Sequence, residues 1–517
     1  MQYFKIDKYS HNFKITVLTS EFLSLVNTFA NDYMQKGLVK VPRVGFLLKP
    51  IKIFGSATKD RIEFRFHINQ LSSFRELVGI KNYNQHNYTI TDHKLYKAHD
   101  IQCELKPEWQ PRENQITAID YLTNAEVLEA VAKNEPVKKF LGLATGAGKG
   151  FLACRAISEY KKRTVVVVKP KYVQKWVEDI EKHFAKIKKH DIIVVQGSDA
   201  LKKTIALATG GELVAKFIII SSNTLQNYIK LYEEFRKDFI ALGYDCTPDV
   251  LFETLGAGVR LIDEVHESFH LYFKIDCFTN IPISISMSAT LLNLDNFLEK
   301  MYYIAYPLQM RFKETGIKKY NRVRTLFYNL NNPERVKTSY PGNNNYNHNA
   351  FEEWILKNKQ VKDNYFSLIL HSIETSYMKN YQKGDRLAVF CSSIAMCTAV
   401  TQFLVNKYPS LLIRRFVEDD PDENLLYSDI SVTSIQSGGT GHDIKQLTTC
   451  IMTINVNSIQ SNIQTIGRLR EITNRETNFI YFICQDIPKH LEYHDIKKKF
   501  LQSRVFSHVD SYSPITI

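Results

Sequence analysis

Phe140-Leu141-Gly142-Leu143-Ala144-Thr145-Gly146-Ala147-Gly148-Lys149-Gly150 reads as a buried strand that ends in a glycine-rich turn, and the helical run Phe151-Leu152-Ala153-Cys154-Arg155-Ala156-Ile157 follows it directly. Glycines let backbone amides wrap around a phosphate, and a helix N-terminus adds partial positive charge. Lys149 is then within reach of the terminal phosphates of a nucleotide. The hydroxyl residue that usually follows such a lysine is absent, and Gly150 stands there. Glycine-rich turns of other kinds share this composition, so the segments around it decide the reading.

Outward from this stretch the chain alternates short apolar strands with helical runs: RTVVVVKP from Arg163, DIIVVQ from Asp191, KFIIISS from Lys216, VRLIDE from Val259 and IPISISMSAT from Ile281. Runs apolar throughout suit strands covered on both faces of a parallel sheet. A second series begins with RLAVFCSS at Arg386 and continues with DISVTS at Asp429, TCIMTINV at Thr449 and NFIYFIC at Asn478. The polar stretch Tyr340 to Asn349 is expected as an exposed loop near the join of the two series. Upstream, Ile62 to Ile68 alternates apolar and polar residues, as a half-buried strand does. The expected fold is α/β, with two RecA-like parallel-sheet lobes and a small N-terminal α+β domain. The expected boundaries are residues 1–105 for the leader, 106–310 for the first lobe and 311–517 for the second. Deleting the leader should weaken DNA binding and flatten its salt dependence while leaving intrinsic ATPase in place.

Two further segments bear on chemistry. Leu261-Ile262-Asp263-Glu264-Val265-His266 brings two carboxylates to a strand end, where Asp263 suits a metal and Glu264 suits orientation of a water. Ser288-Ala289-Thr290 ends another strand, with His266 as a relay partner for its hydroxyls. Gln464-Thr465-Ile466-Gly467-Arg468-Leu469-Arg470 offers Arg468 and Arg470 as guanidinium groups able to stabilise charge on a transferring phosphate. A basic helix paired to surface carboxylates would read the same way in isolation.

In this order, over residues 109–485, the segments resemble the superfamily two helicases, and among them the UvsW-type helicases of tailed bacteriophages, in which a small nucleic-acid-binding domain precedes two motor lobes. The resemblance implies ATP and Mg2+ as cofactors. It places ATP contacts at Arg112, Gln115, Thr145, Gly146, Ala147, Gly148, Lys149, Gly150 and Asp443, with Gln115 reading adenine. Lys149, Glu264, Arg468 and Arg470 become the catalytic set and Asp263 the metal ligand. His266, Ser288, Thr290 and Gln464 become coupling residues. It also implies nucleic-acid contacts at Lys169, Lys171, Thr224, Gln226 and Thr433, although a solvated lysine pair fits Lys169 and Lys171 equally. Two positions depart from the pattern: Gly150, for which Thr145 is the expected substitute ligand, and Glu471, which stands where a second arginine usually falls.

Composition narrows the classes. The 517 residues carry 67 Lys+Arg against 54 Asp+Glu, a net charge of +13 that favours a polyanionic partner. The leader concentrates this charge in Lys36, Lys40, Arg43, Lys49, Lys52, Lys59 and Arg61, with Asp60 as the one acid between Lys36 and Arg61. Such a stretch attracts a phosphate backbone or forms a solvated basic face, and Lys40, Arg43 and Lys52 are its candidate contacts. Cys103, Cys154, Cys246, Cys277, Cys391, Cys397, Cys450 and Cys484 stand singly, without zinc spacing, and read as reduced core thiols. No run reaches the roughly 20 apolar residues of a membrane span, and the expected location is cytoplasmic, in a host cell if phage-encoded. The expected activity is ATP-dependent remodelling of branched, forked or partly single-stranded DNA, in branch migration or recombination. A double-strand translocase, an RNA helicase, and a nucleic-acid-binding scaffold with a degenerate ATPase are the alternatives.

Overall fold

The computed structural model describes residues 2–41, 45–81, 87–143, 147–289, 295–312, 319–342, 345–438, 444–456, 462, 465–472, 475–502 and 505–517, without the side chains of 38–41, 45, 46 and 436. The chain divides into two compact units, one of Met1–Leu143 with Ala147–Glu314, the other built on Thr315–Ile517.

The first unit contains two sheets and a hairpin. Strands β1 (Phe4–Lys8), β2 (Asn12–Val17), β5 (Ser56–Ala57), β6 (Glu63–His67) and β7 (Tyr88–Asp92) form a sheet in the order β5-β6-β2-β1-β7, antiparallel except for the β1–β7 pair. Strands β3 (Met34–Val41) and β4 (Gly45–Ile53) pair only with each other. The second sheet is parallel throughout. It comprises β8 (Val137–Gly142), β9 (Thr164–Val168), β10 (Ile192–Val195), β11 (Phe217–Ser221), β12 (Val259–Ile262) and β13 (Ile283–Ser288), in the order β10-β11-β9-β12-β13-β8. Helices between consecutive strands cover both faces, so Val165, Val166, Val167 and Val168 are all buried, as an uninterrupted β-branched strand requires.

The leader packs against the parallel-sheet domain. Its Phe4, Phe13, Phe22 and Phe66 share one apolar core with Val165, Ile218, Phe269 and Phe273 of the parallel-sheet domain, and the Phe54 ring lies 5.2 Å from that of Phe273. This contact also changes β6: Glu63, Arg65 and His67 were expected to face solvent, yet every residue of the strand is buried. Phe64 and Phe66 join the shared core. The three polar side chains instead meet groups of the neighbouring domain: Arg65 pairs with Asp249 at 3.1 Å, Glu63 with Arg236 at 2.9 Å, and His67 lies 3.9 Å from Asp276. The Arg65 guanidinium also sits over the rings of Phe278 and Tyr9. Alternation in the sequence was real, but its polar face meets protein rather than water.

The second unit holds a seven-stranded parallel sheet with helices between its strands. Its strands are β14 (Asn321–Tyr328), β15 (Arg386–Cys391), β16 (Ile413–Phe416), β17 (Ile430–Ser434), β18 (Leu447–Met452), β19 (Thr477–Cys484) and β20 (Ser507–Tyr512). They are arranged β16-β17-β15-β18-β19-β14-β20. The unit therefore starts before Arg386, with β14 between β19 and the edge strand β20. The stretch 340–349 follows that strand instead of marking the join, and Tyr346 within it bonds His348 and His490 at 2.5 and 2.6 Å. Both sheets have the RecA-like arrangement expected of the two lobes. All eight cysteines are free and buried. No helix among the described residues is long and apolar enough to cross a membrane.

Removing one partner of the Arg65–Asp249 pair strands a buried charge. Arg65→Ala should destabilise the first unit by about 3–5 kcal/mol, and Arg65→Met with Asp249→Leu should recover most of it. Urea unfolding of the single and double variants checks this, and equal losses in both would assign the effect to packing alone.

Candidate functional site

Three neighbouring strands, β8, β13 and β12, end on the same side of the first unit's parallel sheet, where the open α/β folds place ligands. The glycine-rich turn leaves β8, Ser288 ends β13, and Asp263 and Glu264 follow β12. Ser288 pairs in register with Gly142, and Ser286 with Ile262, which sets the ends side by side.

Lys149 opens the helix Lys149–Tyr160. Its Nζ donates to the Leu143 carbonyl at 3.2 Å and lies 3.7 Å from Glu264 Oε1. Gly148 precedes it with φ 85°, and a Cβ there would collide with the Gln115 amide, so the turn requires glycine for both conformation and space. Gln115 accepts from Arg112 N at 3.0 Å and donates to the Ala147 carbonyl at 2.9 Å. The upstream Gln and the glycine-rich turn are thus joined directly. Arg112 itself is exposed.

Asp263 is 2% exposed. Its Oδ2 accepts from Lys175 Nζ at 3.0 Å and from the Trp176 indole at 3.1 Å, and its Oδ1 accepts from Glu264 N at 3.0 Å. Burial alone would raise this carboxyl, but the Lys175 and Lys149 ammoniums outweigh burial and hold it below the ordinary carboxylate range. Burial raises Glu264 instead, with Lys149 opposing and Asp263 reinforcing the shift. Glu264 also has a left-handed backbone, φ 49°, which a non-glycine residue adopts at a cost. That conformation turns its carboxylate toward Lys149 and places Oε2 3.3 Å from His266 Nδ1.

Burial pushes His266 down to about 4, so the ring is neutral near physiological pH. Its Nδ1 lies 2.7 Å from Ser288 Oγ. With the proton on Nδ1, the ring donates toward both Ser288 and Glu264; with the proton on Nε2, it accepts from the Ser288 hydroxyl. The DEVH and SAT segments are therefore in contact through side chains.

The helix Val173–His183 carries residues that the sequence reading passed over. Lys175 and Trp176 hold Asp263, and Asp179, one turn beyond Lys175, reaches Gly150. A Cβ built on Gly150 would stand 2.9 Å from Asp179 Oδ2 and 3.5 Å from its Cγ. The (i, i+4) spacing of Lys175 and Asp179 was the available signal. Hard divalent cations take oxygen ligands; among the described residues no three His, Cys, Asp or Glu side chains gather to hold one by themselves, so the carboxylates of Asp263 and Asp179 would serve a Mg2+ that a nucleotide's phosphates also bind.

Other expected contacts stand differently. Lys169 and Lys171 both meet Glu267, each with a nitrogen within 3.1 Å of Oε2, so one carboxylate offsets one of their two charges and a net positive charge remains. Thr224 is buried, its hydroxyl accepting from Gly197 N at 2.8 Å, and Thr433 is buried on β17; neither offers a surface hydroxyl. Gln226 is exposed. In the second unit Arg468 is 4% exposed, Arg470 hydrogen-bonds the Gly467 carbonyl, and Glu471 is exposed. Thr145, Gly146, Thr290, Asp443, Gln464 and Arg43 lie outside the described residues, as does the side chain of Lys40.

Comparison with known proteins bears on the same segment. Residues 108–293 match the family model described as Type III restriction enzyme, res subunit. With the motif order, this match supports a superfamily two helicase. No curated protein matches the chain. Among solved structures, T4 UvsW is 12% identical, covering 99% of each chain, with a TM-score of 0.31. The Pyrococcus furiosus Hef helicase domain is 14% identical, covering 71% of this chain and 97% of that one, with a TM-score of 0.41. A fragment assigned as an HsdR subunit of a type I restriction enzyme from Vibrio vulnificus YJ016 is 15% identical, covering 78% and 71%, with a TM-score of 0.46. At such values the fold rests on the strand order rather than on these likenesses.

The left-handed backbone at residue 264 predicts an unusual stability response. Glu264→Gly should stabilise the fold by on the order of 1 kcal/mol, because the Cβ penalty disappears with a half-buried carboxylate. Asp263→Ala should destabilise it by stranding Lys175 and Trp176. Thermal unfolding measures both, and a loss of stability in Glu264→Gly would mean the carboxylate serves the fold.

Proposed function

We propose that the chain is an ATP-driven motor that unwinds or translocates along DNA, with branched, forked or partly single-stranded DNA as its substrate. The observation that carries this reading is the convergence of the glycine-rich turn, the Asp263–Glu264 pair and Ser288 at the ends of three adjacent parallel strands. Phage replication or recombination, including branch migration, follows from the resemblance of the motifs to the UvsW-type helicases.

In this reading Lys149 leaves Glu264 to engage the β and γ phosphates, and Gln115, fixed against Ala147, reads the adenine edge. Glu264 then orients the attacking water and takes its proton, a role suited to a carboxyl whose proton affinity burial has raised. Mg2+ bound with the nucleotide would supply charge neutralisation at the phosphates, held by Asp263. His266 and Ser288 link the state of Glu264 to the end of β13. Arg468 and Arg470 would stabilise charge on the transferring phosphoryl group. In the leader, the exposed Lys36 and Lys49 and the half-exposed Lys52, on a hairpin that pairs with no other strand, support phosphate-backbone binding, with Lys40 and Arg43 on the same segment.

Steady-state ATP hydrolysis with single-stranded DNA, duplex DNA, forked DNA and RNA, at one fixed salt concentration, tests the proposal. Forked DNA should stimulate most, Lys149→Ala should abolish turnover, and Glu264→Gln should retain ATP binding but hydrolyse about 10²–10⁴-fold more slowly. Stimulation by RNA alone would make the chain an RNA helicase. DNA binding without hydrolysis under any condition would leave a scaffold.

A further inference from the structure

Gly150 and Asp179 form a complementary pair. At the position after the lysine the chain has no side chain, and the space one would occupy is closed by a carboxylate from the neighbouring helix, with Oδ2 only 2.9 Å from where a Cβ would stand. A carboxylate is a poor filler for such a space unless something binds it. Among the described residues no donor hydrogen-bonds the Asp179 side chain. The nearby cation, Lys175, already donates to Asp263 at 3.0 Å.

Charge counting makes the arrangement less comfortable still. Asp179, Asp263 and Glu264 set three negative charges beside Lys149 and Lys175, with Lys182 also acting on Asp179, and the phosphates of a nucleotide would add several negative charges that nothing here balances. A serine or threonine hydroxyl at 150 would add none. The added phosphate charge calls for a divalent cation, and a half-buried carboxylate oxygen beside Gly150 is the ligand such a cation takes.

We propose that Asp179 is a binding residue for the nucleotide-associated Mg2+, supplying from the helix Val173–His183 the oxygen that Gly150 does not. This rests on the nucleotide-site reading above. It replaces Thr145 as the expected substitute ligand. In Gly150→Thr the added side chain would meet Asp179 rather than open space.

The proposal predicts a sign reversal that a packing role would not produce. Without the cation, Asp179 repels the phosphates; with it, Asp179 helps to hold them. The test is binding of a fluorescent N-methylanthraniloyl ATP to the intact chain, in Mg2+ and in EDTA, for wild type, Asp179→Asn, Asp179→Ala and the exchange variant Gly150→Ser/Asp179→Ala. Both single variants should bind more tightly than wild type in EDTA and more weakly in Mg2+, reducing the Mg2+ enhancement by about tenfold or more. The exchange variant should recover part of that enhancement in Mg2+. Asp179→Asn is nearly isosteric and keeps the test open if the alanine variant folds poorly. An unchanged ratio of the two affinities in Asp179→Asn, or losses of equal size in both conditions, would overturn the role of Asp179 and leave the nucleotide site standing. Failure of the wild type to bind in either condition would overturn the nucleotide site itself, and this proposal with it.

Discussion

A buried carboxylate organises the chemical end of the first unit. Asp263 keeps its charge where water scarcely reaches because Lys175, Trp176 and the Glu264 amide each donate to it. Those bonds tie the end of β12 to the helix Val173–His183. The same helix then presents Asp179 to Gly150, and the turn after Asp263 directs Glu264 toward Lys149. If Asp263 were neutral, the helix would lose its anchor and the opposed charges of the site would lose their arrangement. The left-handed backbone at Glu264 belongs to the same geometry, since a right-handed turn would aim the second carboxylate elsewhere.

The deeper constraint is the parallel sheet. Strands of nearly pure Val and Ile can be buried on both faces only between two layers of helices, and parallel connections bring every strand's carboxyl end to one edge. Residues distant in sequence, from Lys149 to Ser288, therefore meet without long loops. The leader stiffens this unit by sharing its core and by pairing Arg65 and Glu63 with Asp249 and Arg236. Among the described residues the hairpin β3–β4 pairs with neither sheet, though Gln35 and Ile53 at its base bond Asp295 and His270, and its Leu48 and Ile51 are exposed beside Lys49.

Much of this was legible in the residues. Apolar runs marked the strands of the parallel sheets, and the glycine-rich turn, the DEVH segment and the SAT segment marked the three strand ends that matter. Other features were hidden for physical reasons. Alternation in Glu63 to His67 reports that one face is polar, not whether water or a neighbouring domain covers it. Strand β14, Asn321–Tyr328, includes Arg322 and Arg324, and its interruption by charge masked a strand that lies between β19 and the edge strand β20. That Lys169 and Lys171 share one carboxylate, Glu267, nearly a hundred positions away, could not be read from their own neighbourhood in the sequence. The (i, i+4) spacing of Lys175 and Asp179 marks a charged helix face, but a missing side chain at Gly150 says nothing about which distant group occupies the space.

Titration calorimetry of the intact chain with ATP in Mg2+, set beside Lys149→Ala, addresses the nucleotide site most directly. One saturable site per chain, lost or greatly weakened in the variant while its melting temperature holds, is the expected result. Binding of equal affinity to both proteins, or none to either, would contradict a nucleotide site built on the ends of β8, β12 and β13.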